Sequence, residues 1–318
     1  MNPLLSIIIP VYRNEGSLRE LVSQLGRVGA RLGSESGGRL EVVFVVDGSP
    51  DRSHALLREI LPKEAFLSQL LLHSRNFGAF EAIRTGLTAA RGRFFCVLAA
   101  DLQEPTELSL QFLEVLKGDE FDVVVGCRET RQDPFMTRLF SAVFWKLYKK
   151  LVIRDLPEKG VDVFGCNRVF RDHLVALSET HTSLIGLIFW LGFRRSEVLY
   201  HRRERMVGKS AWTFWRKLRY LSDSLFSFTD LPIYLLTVIG ALGVTLSVTF
   251  GVVVFFCRLF GWVTVPGYAA TVITVMFFGG LNSLGLAVIG SYTWRAFENT
   301  KRRPLAVVMS RTDFGDGC

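Results

Sequence analysis

Cysteine is scarce. The 318 residues hold five, Cys96, Cys127, Cys166, Cys257 and Cys318, and no two form a CxxC pair. Neither a zinc site nor a disulfide framework is expected, which fits a reducing compartment. There is no GxxxxGK[ST] loop and no GxGxxG turn after a strand pattern, so P-loop and dinucleotide-fold chemistry are excluded. Ser49 stands in no nucleophile elbow, which removes that class of hydrolase. The run Leu4 to Val11 has no basic flank and no small-residue cleavage site, and Pro10 interrupts it, so no signal peptide is expected. Charge is missing altogether from two stretches, Leu231 to Cys257 and Trp262 to Trp294.

Each uncharged stretch exceeds the roughly 20 apolar residues a helix needs to cross a bilayer. Only Arg258 to Gly261 separates them, so the pattern predicts a two-helix transmembrane hairpin over residues 231–294. Gly240, Gly243, Gly251, Gly279, Gly280, Gly285 and Gly290 would let the two helices approach closely. A buried hairpin in a soluble protein is the alternative. Arg216, Lys217 and Arg219 precede the pair, and Arg295, Lys301, Arg302 and Arg303 follow it, against Arg258 alone in the link. Positive residues stay on the cytosolic side. Both termini are therefore expected in the cytosol, with residues 1–230 as a cytosolic domain and 295–318 as a cytosolic basic tail. A net charge of +8 suits anionic partners such as nucleotides, lipid phosphates and acidic membrane surfaces. A hydrophobic hairpin beside the basic run favours lipid phosphate over nucleic acid, and no nucleic-acid partner is expected.

The first 126 residues alternate strand and helix patterns. Strands are expected over Leu5 to Ile9, Leu40 to Val46, Leu70 to His73, Phe94 to Ala100 and Phe121 to Gly126. Helices are expected over Gly16 to Leu32, Ser53 to Leu61 and Ala79 to Ala90, with another starting near Pro105. Such alternation predicts βαβ units on a mostly parallel sheet flanked by helices, an α/β fold. Phe135 to Val152 has helical period, with Met136, Phe140, Val143, Leu147 and Leu151 on one face and Arg138, Lys146, Lys149 and Lys150 on another. It reads as an amphipathic helix, packed on the domain or lying in the membrane interface.

Ligands of such sheets bind outside the carboxyl ends of the strands. Asp47, in the turn Asp47-Gly48-Ser49-Pro50-Asp51, and Asp101, in Asp101-Leu102-Gln103-Glu104-Pro105, both follow a strand. Asp101 there can ligate a hard divalent cation bridging phosphates, or it can cap the helix behind it. Asp162 lies in the segment Gly160 to Phe170 with Gly165 and Cys166 and also reads as a surface-loop residue. Nine basic residues against two acidic fall between Arg194 and Arg219, including Arg202-Arg203-Glu204-Arg205-Met206-Val207-Gly208-Lys209-Ser210. Forked arginine donors suit paired phosphates, and a polybasic collar attracting anionic lipid is the plainer reading.

In order along the chain, five segments resemble glycosyltransferase family 2. They are Ser6 to Glu15, Val46 to Ser53, Arg75 to Gly86, Ala99 to Pro105 and Arg202 to Ser210. With the two-helix tail they resemble its polyprenyl-phosphate branch, which includes dolichol-phosphate mannose synthase-like and undecaprenyl-phosphate sugar transferases. The resemblance implies a GT-A fold, a UDP- or GDP-sugar donor, a polyprenyl phosphate acceptor, inversion at the sugar, and Mg²⁺ or Mn²⁺. It puts Pro10, Tyr12, Glu15 and Asp47 around the nucleobase and ribose, and Asp101 and Gln103 on the metal. Arg202, Arg205 and Ser210 would meet donor phosphates, and Asp101, Asp162 and Arg205 would be the catalytic residues, Asp162 near the acceptor phosphate. An integral protein of a bacterial inner membrane is implied, and a homo-oligomer is compatible with the pattern. Two departures stand out. Ala99 replaces the first carboxylate of the usual Asp-x-Asp, and Ser210-Ala211-Trp212 replaces Ser-Lys-Tyr. A processive synthase would carry Gln-x-x-Arg-Trp and more spans, and neither is present. A membrane-anchored nucleotide-sugar binding module without catalysis is the other class the departures leave open.

Overall fold

Leu5–Val11 is buried along its length except at Pro10 and forms strand β1. In this computed structural model, residues 2–129, 157, 161–179, 182–203, 223–224, 226–229, 231–260 and 267–315 are described. The helix expected over Phe135 to Val152 lies outside them. The chain divides into two units, Met1–Lys217 with Pro304–Cys318, and Leu218–Arg303.

In the first unit the expected alternation is present. Helix α1 (Glu15–Ser36) buries Leu18, Leu21, Leu25, Val28 and Leu32 at three- and four-residue spacing. It ends where Gly37 turns left-handed and its N–H closes on the Gly33 carbonyl. Then follow β2 (Leu40–Val46), α2 (Ser53–Ile60), β3 (Leu67–His73), α3 (Ala79–Ala89), β4 (Phe94–Val97), α4 (Leu108–Lys117) and β5 (Val123–Arg128). β3 starts three residues before its apolar stretch, and β4 stops at Val97 rather than Ala100. Four further elements complete the run to residue 203: β6 (Val163–Asn167), α5 (Arg168–Ala176), α6 (Leu184–Trp190) and β7 (Arg195–Tyr200).

Among the described residues eight strands make one sheet, ordered β7-β5-β6-β4-β1-β2-β3-β8. The eighth is β8 (Val308–Phe314), so the stretch expected as a basic tail returns and pairs antiparallel with β3. β1 pairs in parallel with β2 and β4, β2 with β3, and β5 with β7, while β6 runs against β4 and β5. The sheet is thus mostly parallel and flanked by helices. At its far end Glu41, fully buried, accepts from Ser6 Oγ at 2.5 Å, Gln69 Nε2 at 2.8 Å and Arg91 N–H at 2.8 Å. A buried carboxylate satisfied this fully anchors the sheet end away from the site.

The second unit contains two long helices, α7 (Leu231–Leu259) and α8 (Tyr268–Thr300). Among the described residues one stretch, Leu231–Phe250, is long and apolar enough to cross a membrane, with a mean hydropathy of 2.0. Leu235, Leu242, Leu246 and Phe250 on α7 and Phe277, Leu284, Leu286 and Ile289 on α8 are exposed. Apolar surface on this scale marks an interaction face. Thr237, Thr245, Thr249, Ser283, Ser291 and Thr293 donate to carbonyls four residues back, so their hydroxyls need no water. Close approach of the helices uses two of the expected glycines. A Cβ on Gly243 would lie 3.5 Å from Phe278, and one on Gly285 3.6 Å from Leu236. Among the described residues, a Cβ on Gly240, Gly279, Gly280 or Gly290 would meet no atom of the partner helix within 4 Å.

Candidate active site

β1, β2, β3, β4, β5 and β7 point the same way, so one sheet edge collects their carboxyl ends. Because β6 runs against them, the residue before it, Asp162, reaches that same edge.

The loops after β1 and β2 clasp each other. Arg13 N–H donates to Ser49 Oγ at 2.8 Å, Glu15 N–H to Asp51 Oδ2 at 3.1 Å and Arg52 N–H to Glu15 Oε2 at 3.0 Å. Burial pushes Asp51 up, but hydrogen bonds from Ser49, Ser53 and the Glu15 N–H outweigh it and hold the carboxyl below its ordinary value. Glu15, expected at the nucleotide, also holds the loop clasp. Pro10 is half-buried opposite Val45, and Tyr12 is 41% exposed at the rim.

Asp47 is buried and spends both carboxylate oxygens on the protein. Oδ1 receives His73 Nδ1 and Phe77 N–H, and Oδ2 receives Gly78 N–H, each at 2.8 Å. His73 Nε2 lies 3.0 Å from Thr85 Oγ1. Gly48 has φ +56°, and a Cβ there would sit 2.3 Å from the Arg75 carbonyl carbon, so only glycine lets the two loops touch. Asp47 thus fixes the 74–78 loop against β2.

A second cluster forms past β4, β5 and β7. Gln103 N–H donates to Asp101 Oδ1 at 3.3 Å. Arg202 Nη2 donates to the Gln103 side-chain oxygen, and Arg203 N–H to the Gln103 carbonyl at 2.9 Å. Glu104 is 5% exposed, with Oε1 4.0 Å from Arg202 Nε. Burial, then Asp101, pushes its carboxyl up to about 7 against the pull of Arg202. Asp162 takes a forked pair from Arg128 and the Tyr200 hydroxyl at 2.8 Å. Burial works against the Arg128 guanidinium, but Asp162 outweighs it and holds the charge firmly. Burial and the Asp162 charge push the Tyr200 hydroxyl up, which keeps it a donor.

The structure brings Asp101, Gln103, Asp162 and Arg202 together and adds Glu104, Arg128 and Tyr200. Sequence alone does not single out those three. The missing signal is strand direction: Arg128 and Tyr200 end strands that run with β4. Pro10, Tyr12, Glu15 and Asp47 occupy the β1–β2 side of the edge. Arg205 and Ser210 lie outside the described residues.

Among the described residues no three His, Cys, Asp or Glu groups form a metal cage. A nucleotide-bound Mg²⁺ needs only one or two carboxylates besides the phosphates. Asp101 offers one, Gln103 a side-chain carbonyl, and the buried Oε2 of Glu104 has no hydrogen-bond partner in the described structure. These hard oxygens fit such a cation.

The profile of glycosyl transferase family 2 matches residues 6–176. An uncharacterized glycosyltransferase of Synechocystis sp. is 30% identical over 96% of this chain and 94% of its own length. One from Bacillus subtilis is 31% identical over 95% and 92%. The bactoprenol glucosyl transferase of Shigella phage SfX is 25% identical over 96% and 99%.

Proposed function

This chain belongs to glycosyl transferase family 2, and from that membership we propose that it moves a sugar from a nucleoside-diphosphate sugar to a polyprenyl phosphate at the cytosolic face of a bacterial inner membrane. The observation that carries the acceptor is the exposed apolar helix α7 in the same chain as a phosphate-suited polar edge. The near full-length likeness to a bactoprenol glucosyl transferase supports it.

A polyprenyl phosphate is already an anionic nucleophile near neutral pH, so positioning and charge stabilisation carry the reaction. One of its oxygens attacks the anomeric carbon with inversion. The bond from that carbon to the nucleoside diphosphate breaks, and the diphosphate leaves with the electron pair. Arg202, and Arg205 and Ser210 by resemblance, balance the leaving charge. Asp162 makes a forked pair with Arg128. Its role is to aim Arg128 at the acceptor phosphate. Asp101 and Gln103 would hold Mg²⁺ or Mn²⁺, which supplies further charge neutralisation at the diphosphate when bound.

Two spans with both termini cytosolic are part of this proposal, and chain connectivity supports them. A membrane cannot divide one sheet, and β8 shares its sheet with β1–β7. The crossings between them must therefore be even in number, so if α7 crosses, α8 crosses back. Its 33 residues measure about 50 Å, more than the roughly 30 Å apolar core. The basic flanks support the same orientation.

Purified full-length protein in detergent, given undecaprenyl phosphate and a panel of UDP- and GDP-sugars, tests the proposal. Glycosylated lipid is expected from one donor, and Asp101→Ala should abolish it. Nucleotide binding with no transfer from any donor would instead establish a non-catalytic binding module.

A further inference from the structure

Building on that donor reading, we propose that Glu104 supplies the second carboxylate of the cation-binding loop, the one that Ala99 does not provide. A methyl group at position 99 offers no ligand, and Asp101 alone leaves the loop one carboxylate short. The chain turns sharply just after it. Leu102 has φ +59°, a left-handed conformation rare for a branched side chain, and its side chain is buried. A non-glycine residue held that way is kept by its surroundings and is concentrated at functional sites. The turn sets Glu104 among Asp101, Asp162 and Arg202, its charged neighbours.

Glu104 is 5% exposed, yet its Oε2 finds no hydrogen-bond partner in the described structure. Its Oε1 is 4.0 Å from Arg202 Nε, beyond hydrogen-bond reach. Buried carboxylate oxygens are nearly always satisfied, so an open one beside a second acid points to a missing positive partner. Arg202 stays at long ion-pair range of Oε1, with its Nη2 on Gln103 and its buried Nε also without a hydrogen-bond partner, so it leaves Oε2 open. A divalent cation with a preference for oxygen ligands supplies that partner.

The test is Mn²⁺ binding by electron paramagnetic resonance on full-length protein in detergent, titrated with Mn²⁺ alone and with UDP or GDP present. Wild type, Asp101→Asn, Glu104→Gln, Glu104→Asp and the double variant Ala99→Asp/Glu104→Gln are compared. Glu104→Gln is expected to weaken Mn²⁺ at least about tenfold, and Ala99→Asp is expected to restore it in the double variant. Glu104→Asp keeps the charge and withdraws the carboxylate by one methylene. It should weaken Mn²⁺ as well and gives the answer if Glu104→Gln does not fold. Wild-type affinity in Glu104→Gln or Glu104→Asp overturns the assignment. So does a folded double variant as weak as Glu104→Gln, which would make Glu104 an anchor for Arg202. Wild type that holds no Mn²⁺ under any condition overturns this assignment together with the cation part of the proposed function, whereas the other outcomes leave that part standing.

Discussion

Asp47→Asn separates a strut from a nucleotide contact. The carboxylate accepts three hydrogen bonds at 2.8 Å, two on Oδ1 and one on Oδ2, in a site 3% exposed. Asparagine has one oxygen. If that oxygen keeps His73 and Phe77, its amide nitrogen faces the Gly78 N–H, donor against donor. One bond to a charged acceptor is lost, worth about 1.5–3 kcal/mol, and a buried donor left unpaired adds about 1–3 kcal/mol. The expected loss is about 3–5 kcal/mol. For a unit of this size each kcal/mol moves the melting temperature by about 2–4 °C, so a fall of about 10 °C is expected. Thermal unfolding of the detergent-purified protein measures it, alongside UDP and GDP affinity in the same samples. A variant that melts with wild type while losing nucleotide affinity would refute the strut and restore Asp47 to a direct contact. A double-mutant cycle with His73→Asn should show coupling of at least about 0.5 kcal/mol, because the two groups touch.

Burial pushes the Glu81 carboxyl up to about 7 from an ordinary 4.5. A raised acid gives stability that is complete below pH 4.5 and is lost as pH rises through 7. Glu81→Gln should therefore match wild type near pH 4.5 and exceed it by about 1–3 kcal/mol at pH 8; an equal difference at both pH values in thermal melts would refute this. Asp162→Asn breaks the forked, partly exposed Arg128 pair and should cost about 2 kcal/mol, whereas Tyr200→Phe removes one hydrogen bond and should cost about 1 kcal/mol; unfolding that ranks them the other way contradicts the geometry. Truncation after Pro304 removes β8, which pairs with β3 and whose lead-in carbonyl at Val307 accepts from Ser74 N–H at 3.0 Å. Hydrogen exchange should then accelerate in β3 and at Ser74 and stay unchanged in β6; protection retained at Ser74 would rule out that link.

Apolar, uninterrupted runs were readable because buried parallel strands need nothing else. Leu40–Val46 is the clearest case, buried at all seven positions. The strands that escaped notice each have a physical reason. β6 carries Gly165, and a Cβ there would press within 3.1 Å of Phe112. Glycine there seats α4 on the sheet and at the same time weakens the strand signal. β7 and β8 are edge strands with half-exposed, charged sequences, and edges carry charge to discourage wrong pairing.

Those hidden strands matter more for the site than for the fold. Asp47 and Asp101 could be proposed because their strands were visible and their carboxyl ends could be located. Arg128 and Tyr200 obey the same rule on β5 and β7, but it applies only once those strands are known to run with β4. β6, which runs against both β4 and β5, settles that direction. The same reversal carries Asp162 to the edge from the amino end of its strand, where a rule about carboxyl ends would never look. Asp162 is thus placed by an antiparallel strand, whereas Asp47 and Asp101 follow uninterrupted parallel ones. Sequence exposes the second far more readily than the first.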